Sequence, residues 1–415
     1  METEASAAGV RPHPAHGAHV DPAGQLAFLD EHYLAPGRGF VAEGGGKVKV
    51  VLGATGSGKT HLLHAIAGQA RSRGFLTVEV DAATRPLAGF DHLYRAVAGG
   101  LDLPEMARRF TAALLRRSGY EDIALRPGET LAAWCQARGH EPGPVRIRLE
   151  DQLHRELERN PALDVGYAQG LARLCAGVAW GTPPDDPLAE GLGERWLRGE
   201  RLPVRDCNRL RLGRSLDRFG ARLWLRSLLH FIRQAGWPGL VVSADNLGVL
   251  LDKRRPAEAD GLPGASGPVP TLPPYYTAQK AADFYEMLRT LIDETGLLPG
   301  LLLVLAGPPE LMTDERRGIP SYVALADRLR TEIETVELNR FADVIVPERL
   351  WAADPEAGRL LAERLADSVA PGAAPEVRAR AVEAALAQWQ VRDVAVSAVR
   401  RSVLAALDAA GGDAA

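Results

Sequence analysis

The sequence predicts an α/β fold: a parallel sheet with a large helical insertion and a C-terminal helical unit. A β-branched run, a glycine-rich loop, a helical pattern and a second strand follow one another between residues 48 and 81. Such a strand–helix–strand unit implies parallel strands. Residues 85–235 have helical periodicity with few strand signals, and the chain after residue 354 has three more helical segments. These three observations define the fold class.

Composition restricts what the chain can be. It has 415 residues, 46% apolar and 25% charged, with a net charge of −4, so a folded globular protein is expected rather than a disordered one. The charge of the whole chain gives no sign of a polyanion partner. The three cysteines lie far apart and form no CxxC pair, which favours a reducing, cytoplasmic setting. No apolar stretch approaches the length of a membrane span, so no membrane contact is expected.

The sheet is predicted from short apolar runs. Strands are expected at 48–52, 75–80, 240–245 and 301–306, and a fifth within 333–346. The helical patterns of the insertion include Pro104–Arg117, Leu149–Glu158, Val165–Ala179 and Leu216–Gln234, and those of the C-terminal unit are 355–369, 375–389 and 392–409.

Domain boundaries follow from these patterns. Residues 1–22 are rich in Ala, Gly, His and Pro and are predicted to be a disordered tail. Residues 23–350 form the core, with the insertion at about 85–235, and residues 351–415 form the C-terminal unit. The segment 253–274 has many prolines and glycines and no periodicity, which predicts a mobile loop.

The glycine-rich loop matches the pattern G-x-x-x-x-G-K-[ST] in full. Backbone N–H groups of such a loop surround phosphate oxygens, the lysine reaches the β- and γ-phosphates, and the hydroxyl of the last residue ligates Mg²⁺. The helix that begins at the lysine adds its N-terminal dipole. The loop follows a predicted strand and precedes a predicted helix, as a nucleotide site requires. The nucleotide-binding residues predicted here are Gly53, Ala54, Thr55, Gly56, Ser57, Gly58, Lys59, Thr60 and His61.

A second acid is needed to hold Mg²⁺ at the end of another buried strand. Asp245, after the strand LVVSA, fits this position and would act with Thr60. Asn246 follows it, and an amide cannot accept a proton as a catalytic glutamate does, so slow hydrolysis is expected unless another acid substitutes. Asp252 and Glu310 are candidates for that acid, although surface charge is the favoured interpretation of each.

Three other positions bear on catalysis. Pro308, after the 301–306 strand, has no side-chain donor with which to sense a γ-phosphate. Two arginines are hypothesised to complete the site by stabilising phosphate charge: Arg328, pointing at a neighbouring subunit of a homo-oligomer, and Arg392, at the start of the last helix. The alternative is that both are simply solvated.

Several stretches together resemble the BrxD-like P-loop ATP-binding proteins of BREX-type phage-defence loci. They are GATGSGKTHLLHAIAGQA, RWLRGE at 195–200, GWPGLVVSADN, FYEMLRTLID and LAGPPELMTDERRGIPSYVALADRL, and the resemblance extends over about residues 25–410. That family is similar to AAA+ ATPases of origin-recognition type, whose core is followed by a lid. The resemblance implies ATP and Mg²⁺ as ligands, with Lys59, Thr60 and Asp245 keeping their roles. Relatives commonly have Asp-Glu where this chain has Asp245-Asn246, and Thr at the position of Pro308.

The resemblance also implies partners among defence proteins, such as a helicase-like protein, a methyltransferase or a phosphatase-like protein. Double-stranded DNA is a further hypothesis. Residues 195–233 contain eleven arginines and three acids, a local balance of +8. Four of these arginines recur at spacings of three and four, which predicts a basic stripe on one helix that could neutralise backbone phosphates: Arg211, Arg214, Arg218 and Arg222. Pairing with acids elsewhere, or contact with an acidic partner protein, is the alternative.

Three functions remain open from sequence. The first is an ATP-binding, AAA+-like factor of a defence system whose nucleotide sets an assembly state or its association with DNA, with weak hydrolysis. The second is an active DNA-dependent ATPase or loader for a helicase-like partner. The third, a P-loop kinase for a small molecule, is disfavoured because no acceptor site is evident and the helical additions are large.

Overall fold

The computed structural model describes residues 19–121, 123, 125–182, 186, 190–213, 215–252, 275–334, 338–369, 372, 374–389 and 401–405. The predicted mobile loop at 253–274 lies outside these residues, as do residues 1–18 and most of the predicted helix 392–409, of which 401–405 are helical.

Five parallel strands form one sheet, which confirms the predicted fold class. The strand order is β2-β3-β4-β1-β5, so β4 separates β1 from β3. Every residue of β4 is buried, and its neighbours are buried on both faces because helices cover the sheet on each side. The strands are β1 (Lys47–Leu52), β2 (Leu76–Asp81), β3 (Leu240–Asp245), β4 (Leu301–Gly307) and β5 (Val344–Ile345).

Fifteen α-helices are found in the described residues. They are α1 (Gln25–Leu29), α2 (Lys59–Ser72), α3 (Phe90–Gly99), α4 (Leu103–Arg117), α5 (Leu131–Ala137), α6 (Pro142–Leu153), α7 (Val165–Trp180), α8 (Leu192–Leu197), α9 (Val204–Arg209), α10 (Ala221–Gln234), α11 (Ala278–Asp293), α12 (Val323–Glu334), α13 (Pro347–Ala353), α14 (Pro355–Val369) and α15 (Pro375–Trp389).

The two faces of the sheet have different covers. On one face, Leu63, Ile66 and Ala70 of α2 pack with the N-terminal segment around Leu29 and Leu34. On the other, the helices α3 to α10, which lie between β2 and β3, pack with α11 in one large apolar core. The side chains of alternate strand residues enter one core or the other, as the period of two requires.

The helix predicted at Leu216–Gln234 begins later, at Ala221. The carboxylate of Asp217 accepts hydrogen bonds from the backbone N–H groups of Phe219 and Gly220, at 3.0 and 2.7 Å. This turn gives the backbone an alternative to helical hydrogen bonds, so residues 216–220 form a turn instead of a first helical turn.

Helices α13, α14 and α15 form the C-terminal unit, with a small apolar core of their own. The N-terminal segment belongs to this core: Val20 is buried against Trp351, Ala357 and Leu361. Residues 19–22, which the prediction assigned to the tail, are therefore ordered: Val20 packs in this core, and the Asp21 carboxylate accepts hydrogen bonds from the backbone N–H groups of Leu26 and Ala27.

Lys49 is a charged residue inside the sheet, fully buried on β1. Its ammonium group donates to the backbone carbonyls of Phe341 and Ala342, at 2.8 and 2.6 Å, and lies 3.7 Å from the Asp343 carboxylate. A buried ammonium needs such partners because an unpaired one costs several kcal/mol or more. Lys49 thereby fastens the segment before β5 to β1, where only two residues of β5 pair.

Two structural observations bear on the predictions made from the cysteines and from the lack of long apolar stretches. Cys135, Cys175 and Cys207 are free and buried. Among the described residues, every helix is too short or too polar to cross a membrane.

Candidate nucleotide-binding site

The P-loop segment, Gly53–Thr60, joins the end of β1 to the start of α2. Gly56 and Gly58 have φ of +86° and +100°, a region that favours glycine, so the pattern places glycine where the loop turns back on itself. Lys59 donates through Nζ to the carbonyl oxygens of Gly53 and Ala54, at 2.7 and 2.8 Å. The loop therefore curls around the Lys59 side chain, and α2 begins at this lysine.

Thr60 and Asp245 lie together although 185 residues separate them in the chain. The Thr60 hydroxyl donates to Asp245 Oδ2 at 2.5 Å. Two oxygen atoms facing each other beside a phosphate-binding loop suit Mg²⁺, which takes few protein ligands and completes its shell with water and phosphate oxygens. The donor set therefore fits the predicted metal.

Asn246 has a left-handed backbone, with φ +62°. Asparagine tolerates this conformation better than glutamate, so the backbone itself favours the residue found. Its side-chain nitrogen donates to Asp81 Oδ1 at 2.9 Å. Asp81 ends β2 and stands in register with Asp245 of β3. A cavity of about 260 Å³ opens here, lined by Thr60, Leu63, His64, Glu79, Val80, Asp81, Ser243, Asp245 and Asn246.

Glu348, in the first turn of α13, also contacts the P-loop segment. Its Oε1 accepts a hydrogen bond from the backbone N–H of Ala54 at 2.6 Å. Within the described part of the chain, its Oε2 and the Ser57 hydroxyl are both buried and without a hydrogen-bond partner. A Cβ at position 53 would lie 2.5 Å from Ser57 Oγ and 2.8 Å from Glu348 Oε2, so a larger residue would require these two side chains to move.

The electrostatics of the site centre on Lys59. Partial burial lowers the pKa of its ammonium group, and the nearby carboxylates of Asp245, Glu348 and Glu310 offset part of that effect. Negative phosphate oxygens would favour the charged lysine in the same way. Lys59 therefore lies among carboxylates. A bound polyphosphate would have to displace them, or a metal ion would have to neutralise the combined negative charge.

His61, at the start of α2, contacts the N-terminal segment. Its Nε2 shares a hydrogen bond with His19 Nδ1 at 2.7 Å, and Arg364 of α14 donates to the backbone carbonyl of His19. One short chain segment thus joins the helix after the P-loop segment to the C-terminal unit. His19 and Arg364 also line a cavity of about 540 Å³ with Asp21, Asp354 and Glu363.

Two segments of the chain match a known protein family. Residues 34–116 and 276–400, half of the chain, match the model of the BREX system ATP-binding protein BrxC/D. The chain belongs to this family. No curated protein and no solved structure matched it.

The family match covers fewer residues of this BrxC/D-family chain than the resemblance, which extends over about residues 25–410. The matched segments contain the P-loop segment, Asp81 and the C-terminal unit, whereas RWLRGE, Asp245 and Asn246 fall between them. Family membership makes this an ATP-binding protein of a BREX defence system, which implies other defence proteins as partners.

Of the two hypothesised arginines of this BrxC/D-family chain, only Arg328 lies among the described residues. Arg328 forms a bidentate pair with Asp293 of α11, at 2.6 and 2.9 Å, and donates to the Ala324 carbonyl. Its guanidinium is thus engaged inside its own chain, and a role across a subunit interface stays a prediction. Arg392 lies outside the described residues. Of the two substitute acids, Glu310 follows β4 and contributes to the field at Lys59, whereas Asp252 is exposed beyond β3.

The predicted basic stripe of the BrxC/D-family chain is wrong as a helix face. Arg211 lies in the turn after α9, with φ +48°, Arg218 lies in the Asp217 turn, and Arg222 lies on α10. Arg214 is outside the described residues. Arg222 pairs with Glu294 at 2.5 Å, and Arg218 stacks on Phe219. Glycines at 213 and 220 and the Asp217 cap break the periodicity on which the stripe depended.

Internal pairing also accounts for much of the local positive charge in this BrxC/D-family chain. Arg195 pairs with Glu200, Arg198 with Glu194 and Arg209 with Glu190. Arg226 and Arg233 donate to backbone carbonyls. The alternative interpretation, pairing with acids and carbonyls of the same chain, is therefore supported for these residues.

Sequence reasoning missed three residues of this BrxC/D-family site. Asp81 could have been found, because it ends a predicted strand beside the strand of Asp245. Glu348 and His19 left no signal, since each reaches the site from an element distant in sequence.

Proposed function

We propose that this chain binds ATP·Mg²⁺ at the P-loop segment and that the bound nucleotide sets an assembly state within its BREX system, with slow hydrolysis. In this proposal the core is AAA+-like, and helices α13 to α15 act as its lid. Lys59 and the loop N–H groups hold the phosphates, and Thr60 and Asp245 hold the metal. The metal, when bound, would neutralise phosphate charge.

The observation that carries the proposal is the contact between Thr60 and Asp245 at 2.5 Å beside a loop already curled around Lys59. Two further contacts connect that loop to the C-terminal unit: Glu348 to Ala54, and His61 to His19 and so to Arg364. Occupancy of the loop would therefore be felt by the helices that could contact a neighbour. Asn246 in place of an acid supports slow turnover.

The test measures binding and assembly together. Calorimetry of the full chain should show ATP uptake that Lys59→Ala abolishes, and native mass should change with ATP·Mg²⁺ in the wild type alone. Absence of uptake, or uptake that survives Lys59→Ala, contradicts nucleotide binding at this loop. A mass that is the same with and without ATP·Mg²⁺, measured with the purified defence partners present, contradicts gating.

The second candidate is an active DNA-dependent ATPase or loader for a helicase-like partner, in the cytoplasm with the other defence proteins. Arg211 and Arg218, which have no carboxylate partner among the described residues, are the observation that favours it. Brisk phosphate release that rises several-fold with duplex DNA would replace the first proposal with this one. Turnover unaffected by duplex DNA argues for the first.

A further inference from the structure

We propose that Asp81 is the general base of ATP hydrolysis in this chain and that Asn246 positions it. The inference rests on the proposed function, because it requires ATP to be bound at the P-loop segment. It deepens that function by replacing the missing glutamate with an acid from the neighbouring strand.

The sheet brings Asp81 to the metal pair. Asp81 and Asp245 are register partners at the carboxyl ends of β2 and β3, so both carboxylates emerge at the same edge of the sheet. Adjacent strands are about 4.8 Å apart. Asp245 in turn contacts Thr60, and all three residues line the same cavity of about 260 Å³.

Asn246 fixes the Asp81 carboxylate through one oxygen. Oδ1 accepts from the Asn246 side-chain nitrogen and from the Ala83 backbone N–H, each at 2.9 Å. No described residue donates to Oδ2, which leaves that oxygen for a water molecule. An amide can donate but cannot take a proton, so Asn246 suits the positioning role and Asp81 the chemical one.

Other acids near the site are less well placed. Glu79, two residues earlier on the same face of β2, lies 3.2 Å from His64 and 3.3 Å from Arg71. Glu348 contacts the beginning of the P-loop segment and is not among the residues that line the cavity. Glu310 follows β4 and is not among the residues that line the cavity.

The reaction balances with water as the only co-reactant. The water oxygen forms a bond to the γ-phosphorus while one of its protons passes to the Asp81 carboxylate. The bond between the γ-phosphorus and the oxygen that bridges to the β-phosphate breaks, and its electron pair leaves with ADP. Inorganic phosphate departs, and Asp81 returns the proton to solvent.

The experiment measures three quantities in each variant: the rate of single-turnover phosphate release, the affinity for ATP·Mg²⁺, and the retention of a transition-state mimic. The mimic is ADP bound together with aluminium fluoride and Mg²⁺. Asp81→Asn, which keeps size and hydrogen bonding, should slow release by about 100-fold or more. It should leave ATP·Mg²⁺ affinity within about fivefold and lose retention of the mimic. The matched control, Glu79→Gln, should stay within about fivefold of the wild type in all three.

Asn246→Ala separates positioning from chemistry. The carboxylate remains but is no longer fixed, so release should slow by about tenfold, less than in Asp81→Asn. Phosphate release at the wild-type rate in Asp81→Asn overturns the inference. So does a loss of release rate in Glu310→Gln as large as the loss expected of Asp81→Asn. A wild type that binds ATP but releases no phosphate overturns it too, while leaving the proposed function standing; a wild type that binds no ATP overturns both.

Discussion

The carboxylate of Glu348 accepts a hydrogen bond of 2.6 Å from the backbone N–H of Ala54, 294 residues away in the chain. This contact joins the first turn of α13 to the P-loop segment. Leu350 of the same helix packs on the sheet core, and Trp351 packs in the C-terminal core. One short helix therefore touches the loop, the sheet core and the C-terminal core.

Neutralising Glu348 should tighten ATP binding. Glu348→Gln keeps an acceptor for Ala54 but removes a negative charge beside the phosphates, so the Kd for ATP·Mg²⁺ should fall about fivefold, equivalent to ~1 kcal/mol. Calorimetry measures it. Glu356→Gln is the control, because that side chain is 87% exposed on α14. An unchanged Kd in Glu348→Gln would place the carboxylate outside the phosphate field.

Truncating the same residue should have a different effect. Glu348→Ala leaves the Ala54 N–H without its acceptor, and the free energy of unfolding should fall by about 1 kcal/mol. Denaturant titration measures the change. If the Gln and Ala variants lose the same stability, the hydrogen bond contributes nothing and the lost negative charge accounts for the change.

Removing the Asp245 carboxylate should make ATP binding insensitive to Mg²⁺. Asp245→Asn should lower ATP affinity about 10- to 100-fold in Mg²⁺, the usual loss when the support of a metal is removed, and leave affinity in EDTA unchanged. Asp252→Asn, an exposed acid just beyond the same strand, serves as the matched control. An equal loss of affinity in EDTA would assign Asp245 a structural role instead.

Lowering the pH should release the segment around His19 from the C-terminal unit. Burial lowers the pKa of His19, an effect that Asp21 opposes and Arg364 reinforces, so the docked state favours neutral imidazole. The unfolded chain binds the proton first, so docking is stable above about pH 6.5 and weakens as pH falls from there through the lowered pKa. The hydrogen-exchange protection factors of residues 19–29, which correct for the pH dependence of the intrinsic exchange rate, should fall between about pH 7 and pH 5.

Matched variants isolate that effect. His19→Gln should remove the pH dependence of exchange in this segment. His154→Gln, an exposed histidine paired with Glu158 on the far side of the insertion, should retain it. A wild-type profile in His19→Gln would assign the pH dependence to another group.

DNA binding by the insertion is expected to depend on Arg211 and Arg218, for which the described part of the chain shows no carboxylate partner, and on Arg214, which lies outside that part. The triple variant Arg211→Ala, Arg214→Ala, Arg218→Ala should flatten the salt dependence of duplex binding, by about 0.9 in log–log slope for each phosphate that is no longer neutralised. Arg222→Ala is the control, since that arginine is held by Glu294. A slope unchanged in the triple variant removes this surface from any DNA complex.

Local patterns predicted the fold well. The strand 240–245 and the helices 355–369 and 375–389 coincide with β3, α14 and α15. Their apolar runs and periodicities are set by which faces are buried. The helix start at Ala221 was missed because a single Asp217 cap outweighed an apolar periodicity that continues through the turn.

The site was predictable only where its residues share a motif. The P-loop segment and Asp245 carry recognisable local chemistry, whereas Arg328 looked free until Asp293, 35 residues earlier, was brought beside it by α11 and α12. The partners of Glu348 and His19 are distant in sequence too. Tertiary pairing decides whether a charge is available, and no local pattern records it.

The position of β4 in the sheet governs when the site can be completed during synthesis. β1 pairs only with β4 and β5 among the described strands, and β3 reaches β1 only through β4. A nascent chain that ends before residue 301 thus lacks β4. Without that strand, β1 and β3 are not joined, and Lys59 and Asp245 are not held together. Under the proposed function, synthesis of β4 therefore precedes the first capture of ATP, because only then can Lys59 and Asp245 meet at one edge of the sheet.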